Sequence, residues 1–115
     1  MMIMGHRGAA NLEPENTLRS IARAIEIGVD AVEIDVRLTR DGEIVVIHDE
    51  TLDRTTNGKG FVKRHTLENL KKFDAGKGER IPTLQEVLDL TADKVCLVIE
   101  LKEKGTESCL LYTSP

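Results

Sequence analysis

At 115 residues the chain has room for one small domain, or for part of a larger one. Its 16 basic and 20 acidic residues give a net charge of −4, with no basic patch interleaved with aromatics. Nucleic-acid binding is therefore not expected, because it needs clustered Lys and Arg to displace counterions. No apolar run is long enough for a membrane span, and no basic leader precedes an apolar core. Residues 1–4 already read as strand, so a cytoplasmic protein without stable membrane insertion is the expectation. Cys96 and Cys109 lack CxxC spacing, which suggests neither a disulfide framework nor a zinc site and fits a reducing compartment.

The first strand ends near Ile3 and Met4, stopped by Gly5 and Gly8, which bracket His6 and Arg7. Glycines here allow close backbone approach to a ligand or a turn with positive φ. An ordinary glycine-rich turn with a surface His and Arg explains them as simply. Residues 14–17, PENT, precede a helix in which Leu18, Ile21, Ala22 and Ile25 recur at helical spacing and Gly28 stands at the C′ position. Asn16 or Thr17 supplies the N-cap oxygen. A ligand role for Asn16 is secondary to the packing role of the segment.

Residues 31–49, AVEIDVRLTRDGEIVVIHD, organise the rest. Successive side chains of a strand point to opposite faces. Val32, Ile34, Val36 and Leu38 share one face, and Glu33, Asp35 and Arg37 the other. Glu33 and Asp35 stand roughly 7 Å apart along that face. On an open sheet such a face is merely wet, and a solvated edge strand accounts for it. In a closed interior, the like charges need a cation between them. The connection 39–43 is too short for a parallel crossover, and Asp41-Gly42 is a hairpin turn signal. Residues 44–48 are thus expected to return antiparallel to Arg37 and Leu38, bringing His48 toward the end of the strand that carries the carboxylates.

Residues 50–80 read as an excursion from the main fold, with turn signals at Asn57-Gly58 and a short helix over 66–73 capped by Thr66. Its two GKG triplets lack the rest of a phosphate-binding loop. His65, the third histidine, reads as a surface residue of this excursion. A helix starts at Thr83, with Glu86 completing a capping box and Leu84, Val87 and Leu88 forming its apolar stripe. The run 95–102 is the next strand, placing Glu100 and Lys102 on one face. After Gly105 the helix due in an alternating fold is missing, and 106–115, TESCLLYTSP, reads as an irregular tail, more like a truncation or sequencing-adapter tail than the next barrel helix.

GHRG near the start, PENT, EIDVRLTRDGEIVVIHDETLDRTTNGKG and IELK follow one another at distances that resemble the glycerophosphodiester phosphodiesterase family, over about residues 3–102. The strand–helix–strand–excursion–helix–strand order is itself the opening of a β/α fold. The resemblance implies a (β/α)8 barrel, of which this chain supplies about three strands of eight, with a β-hairpin extension and an insertion over about 50–80. Residues 1–105 are then the N-terminal part of the catalytic domain. Glu33, Asp35 and Glu100 offer hard oxygen ligands that suit Mg²⁺ or Ca²⁺, with no soft ligand arguing for zinc. His6 and His48 are the candidate acid–base pair, because His titrates near neutral pH. Arg7 can clamp a phosphate with its planar fork, and Lys102 can add a second positive charge. By resemblance, the substrate is a small glycerophosphodiester whose own glycerol hydroxyl attacks, giving a cyclic phosphate that water then opens, with glycerol 3-phosphate and an alcohol as products. Two rivals remain: a lipid phosphodiesterase of the phospholipase C or D type, and a non-catalytic metal or polyol-phosphate binding module.

Overall fold

A computed structural model describes residues 3–103 and 106–113, with side chains as far as Leu101. The elements run β1 (Met4–His6), α1 (Leu18–Ile27), β2 (Ala31–Leu38), β3 (Ile44–Val46), α2 (Leu67–Leu70), α3 (Leu84–Thr91), β4 (Cys96–Glu103) and β5 (Thr106–Thr113). The sheet order is β1-β2-β4-β5, with β3 paired to β2. β1, β2 and β4 are mutually parallel, while β3 and β5 run antiparallel to their partners. This is the N-terminal part of a (β/α)8 barrel, carrying a hairpin extension after the second strand.

The alternation of β2 decides which face goes where. Val32, Ile34 and Val36 join Leu97 and Ile99 of β4 against Ile21 and Ala24 of α1 and Val87 of α3. Each of these fully buried branched side chains stabilises the fold by about 1.5–3 kcal/mol relative to exposure. Both helices cover that face, so Glu33 and Asp35 fall on the other. α1 starts where expected, with Thr17 as N-cap accepting a hydrogen bond from the Ser20 N–H. It ends at Gly28, whose left-handed backbone directs its N–H to the carbonyls of Ala24 and Ile25. Its buried stripe is Ser20, Ile21 and Ala24, while Ala22 is exposed. The small residues Ser20 and Ala24, not Ala22, face the GHRG turn because the helix lies so close to it. A Cβ on Gly8 would stand 2.5 Å from Ser20 Oγ, and one on Gly5 would stand 2.7 Å from the Gly8 carbonyl.

The hairpin forms as the connection length requires, with Val36↔Val46, Arg37↔Val45 and Leu38↔Ile44 in antiparallel register. Its turn is closed by Thr39 N–H to the Glu43 carbonyl at 2.9 Å and by Gly42 at φ +80°. The excursion builds a second apolar cluster of Val45, Ile47, Leu52, Val62, Leu70, Ala75 and Ile81. Its short helix is α2, capped by Thr66, and α3 carries the expected capping box between Thr83 and Glu86. His65 is a partly exposed residue of the excursion with partners on its ring. Its ring meets Phe73 edge-on at 5.7 Å, Nδ1 contacts the Asn69 amide and Nε2 the Lys59 carbonyl.

The C-terminal stretch differs from expectation. Residues 106–113 are not irregular but form β5, paired with β4 from Glu103↔Thr106 to Cys96↔Thr113. Helical periodicity is absent from TESCLLYT, yet only two residues separate it from β4, the spacing of a tight hairpin. An open strand edge offers unpaired N–H and C=O groups to any β-compatible segment that follows it so closely. No described helix is long and apolar enough to cross a membrane.

At the other end of the sheet, β1 is the outer strand, and Ile3 (57% exposed), Met4, Leu12 and Ile27 stand in solvent around it. Residues 1–115 expressed alone are therefore expected to self-associate, since an open edge flanked by apolar side chains templates further pairing. Sedimentation velocity across a concentration series tests this, and a monomer with a cooperative denaturant melt would show the edge to be harmless.

Candidate active site

Strand register assembles the site. His6 pairs with Glu33 across β1 and β2, and Asp35 pairs with Glu100 across β2 and β4. Glu33 and Asp35 are two apart, so all four side chains leave the sheet on the face opposite the helices. One carboxylate oxygen from each of Glu33, Asp35 and Glu100 lies within 4.8 Å of the others. Asp35 is buried at 1% exposure, and Glu33 and Glu100 are half-buried. Three carboxylates gathered this closely, with desolvation strengthening their repulsion, form a donor set that fits a hard divalent cation.

The two histidines reach the site from opposite directions. Val36 pairs with Leu101 on one edge of β2 and with Val46 on the other, so β3 shares the edge that β1 uses. β1 runs up this edge and stops with His6 opposite Glu33; β3 runs down it, and the Ile47 N–H still donates to the Asp35 carbonyl at 2.9 Å. His48 is the next residue, held there by Arg37, whose Nε–H donates to its carbonyl at 2.8 Å. Its Nδ1 lies 2.8 Å from Asp49 Oδ1. A carboxylate accepts only, so Nδ1 carries the proton and Nε2 is the position left for exchange. His6 Nδ1 stands 3.0 Å from Glu33 Oε1 and directs its ring the same way.

Arg7 and Asn16 hold strained backbones. Both are left-handed, at φ 51° and 57°, a state that costs a residue with a side chain on the order of 1–3 kcal/mol. Their strain is locked from both sides: the Arg7 carbonyl accepts from the Asn16 N–H at 2.9 Å and from Ser20 Oγ at 3.1 Å. The result aims both side chains at Asp35. Arg7 Nε stands 3.4 Å from Asp35 Oδ2, and Asn16 Nδ2 donates to the same oxygen at 3.1 Å. Asn16, 3% exposed, is therefore a buried partner of Asp35 and not the helix cap. The side chain of Lys102, although the residue lies on β4, falls outside the described residues.

A group of residues that the sequence did not single out ties these parts together. Arg54, from the excursion, donates to both oxygens of Asp49 and both oxygens of Glu15 at 2.8–3.0 Å. Glu15 also meets Arg7 Nη1 at 3.3 Å. The Arg54 hydrogen bonds, joined by the one from His48, hold the Asp49 carboxyl far below the usual carboxylate range. Burial works to raise Glu15, and the hydrogen bonds and charges of Arg54, with that of Arg7, outweigh it to leave a lowered value. Folded-state values below the unfolded ones mean that these ion pairs stabilise the fold fully above about pH 4–5 and progressively less as acid protonates them. The melting temperature is expected to fall below that range, and Arg54→Ala to flatten the fall. An equally steep acid loss in the variant would count against this assignment.

Comparison with known proteins identifies the family over nearly the same stretch of chain. Residues 6–108 match the family model described as the glycerophosphoryl diester phosphodiesterase family. A glycerophosphodiester phosphodiesterase of Caldanaerobacter subterraneus subsp. tengcongensis is 56% identical over 109 residues, covering 88% of this chain and 45% of that protein. The crystal structure of a glycerophosphodiester phosphodiesterase from Agrobacterium tumefaciens superposes with a TM-score of 0.85 at 41% identity, covering 88% of this chain and 47% of that one. An Oleispira antarctica phosphodiesterase, solved in complex with the product sn-glycerol-3-phosphate, superposes at 0.86 with 40% identity, covering 89% and 44% respectively. The chain spans about half the length of the relatives it matches. Since the match runs from the first histidine, through the hairpin that delivers the second, to the strand bearing the third carboxylate, the chain belongs to the glycerophosphoryl diester phosphodiesterase family.

Proposed function

We propose that the complete protein hydrolyses glycerophosphodiesters to glycerol 3-phosphate and an alcohol, with His6 and His48 as its acid–base pair. The observation that carries this reading is the convergence of the Glu33, Asp35 and Glu100 carboxylates within 4.8 Å, beside the β2 edge to which β1 and β3 bring the two histidines. Residues 1–105 form the N-terminal part of the catalytic domain. Residues 106–115 are read as outside it, a reading supported by the antiparallel pairing of residues 106–113 on the β4 edge, where a parallel barrel sheet would continue.

Glu33, Asp35 and Glu100 would hold the divalent cation, Mg²⁺ or Ca²⁺. When bound, it supplies charge neutralisation and polarises a phosphoryl oxygen. Arg7, fixed between Glu15 and Asp35, turns its remaining N–H groups toward the phosphate, and Lys102 adds a positive charge on the adjacent strand. One histidine accepts the proton of the substrate's glycerol hydroxyl at Nε2 as that oxygen attacks phosphorus. The other gives its Nε2 proton to the alkoxide leaving as the phosphorus–oxygen bond breaks. Water opens the resulting cyclic phosphate with the two roles exchanged, which returns both rings to their starting protonation.

The test uses the complete enzyme, made by joining residues 1–103 to the C-terminal part of the Caldanaerobacter relative. Glycerophosphocholine and glycerophosphoethanolamine are assayed with and without divalent metal. Metal-dependent release of glycerol 3-phosphate is expected. Binding of glycerol 3-phosphate without turnover would replace this reading by a binding module, and turnover of only intact phospholipids by a lipid phosphodiesterase.

A further inference from the structure

Arg54 is a charged side chain of the site to which neither metal binding, proton transfer nor phosphate binding assigns a task. Arg54 comes from the excursion, beyond the hairpin, and its side chain is half-exposed. Its guanidinium is nonetheless engaged along two edges. Nε and Nη2 hold Asp49 at 2.8 and 3.0 Å, and Nη1 and Nη2 hold Glu15 at 3.0 and 2.9 Å. Beyond Asp49 lies Nδ1 of His48, at 2.8 Å. Beyond Glu15 lies Arg7, whose Nε reaches Asp35 Oδ2 at 3.4 Å. Donors and acceptors alternate along the row His48, Asp49, Arg54, Glu15, Arg7, Asp35. Arg54 bonds to the carboxylates on both sides of it, and it joins two stretches of the row that come from different parts of the chain.

We propose that Arg54 is a positioning residue for the reaction, which fixes the His48 imidazole through Asp49 and the Arg7 phosphate clamp through Glu15 at a set spacing. This rests on the reading of His48 and Arg7 given above. The physical reason lies in Asp49. Its Oδ1 accepts from both His48 and Arg54, while Oδ2 accepts from Arg54. Two parallel bonds from a planar fork stop the carboxylate from turning about its own axis. Without them Asp49 is free to turn toward water, and His48 loses the acceptor that keeps its proton on Nδ1 and its Nε2 toward the substrate. A lysine cannot replace this arrangement, because an ammonium is a point charge and cannot present two donor edges to two carboxylates.

A tether that merely holds the excursion in place would share this geometry, so the test needs readouts that a tether does not move. In the complete enzyme, Arg54→Ala is expected to lower kcat about 10–100-fold, the usual effect of losing a residue that orients a site group. Methylguanidinium in the buffer is expected to restore part of that loss. Arg54→Lys is expected to melt close to the parent yet stay slow, and it carries the test if Arg54→Ala does not fold. Imidazole ¹⁵N shifts should report His48 with its proton on Nδ1 in the parent and a mixture of tautomers in the variants. Unchanged kcat overturns the inference, as does a kcat loss that tracks a lowered melting temperature and ignores methylguanidinium. A parent enzyme inactive on glycerophosphodiesters would remove the proposed activity alone. The His48 ring shifts still decide the role of Arg54, and an unchanged ring in the variants overturns it.

Discussion

Replacing His6 or His48 by alanine in the complete enzyme is expected to lower kcat by at least about a hundredfold, the usual contribution of a positioned proton-transfer group. The two losses should differ in kind. Each ring has Nδ1 against a carboxylate, so each presents Nε2 as its exchange position. In the proposed mechanism one of them assists the attacking hydroxyl and the other the departing alcohol, and the leaving group separates the two roles. A glycerol diester whose second ester is 4-nitrophenol departs without needing a proton. On that substrate the variant that lacks the general acid should recover most of its rate, and the variant that lacks the base should not. Metal affinity, measured by calorimetry, should change little in His48→Ala, since His48 contacts Asp49 and not the carboxylate cluster. Near-parent rates for both variants on glycerophosphocholine would rule out the pair.

How much of this was legible before the structure depends on the range of the interactions. The hairpin was readable because a five-residue connection cannot make a parallel crossover, which leaves residues 44–46 to return antiparallel beside Arg37 and Leu38. The carboxylate face was readable because strand alternation is local. The convergence of Glu100 on Asp35 was readable only as far as β4 could be assumed parallel and in register, which the helix between them implies. Asn16 illustrates where local reasoning stops. Its side chain is a good cap oxygen, and so is that of Thr17, one residue on. The choice between them is made by Arg7 and Asp35, which draw Asn16 into a left-handed backbone and leave the cap to Thr17. The Arg54 bridge was invisible for the same reason, since it spans 39 residues to Glu15 and nothing in the periodicity of a loop announces such a partner. Only its neighbourhood gave a signal: an arginine five residues beyond an Asp that itself follows a candidate catalytic His. β5 was missed because open-edge pairing is a property of β4 and the short connection, not of a pattern within TESCLLYT.

Charge reversal within the carboxylate cluster should have an even larger effect than loss of a histidine. Glu100 stands opposite Asp35 in the β2–β4 register, and the three ligand oxygens lie within 4.8 Å of one another. Glu100→Lys puts an ammonium where a cation would sit and turns the net attraction for a divalent ion into repulsion, at a separation where screening by salt is weak. Activity should fall to background at every metal concentration, and calorimetric binding of Mg²⁺ and Ca²⁺ should disappear with it. Glu100→Gln keeps the shape and removes one charge. It should retain activity that saturates only at higher metal concentration, which distinguishes a ligand from a group needed for folding. Asp35 does not permit so clean a graded test, because it is buried with Arg7 Nε at 3.4 Å and the Asn16 amide at 3.1 Å, and neutralising it removes one of the two counter-charges beside the Arg7 guanidinium. Its replacement by asparagine should therefore cost stability as well as metal binding, because it removes a buried charge that faces a guanidinium. A Glu100→Lys enzyme that still turned over glycerophosphodiesters in a metal-dependent way would remove Glu100 from the ligand set, and would leave Glu33 and Asp35 to hold the ion with a donor from the part of the barrel beyond this chain.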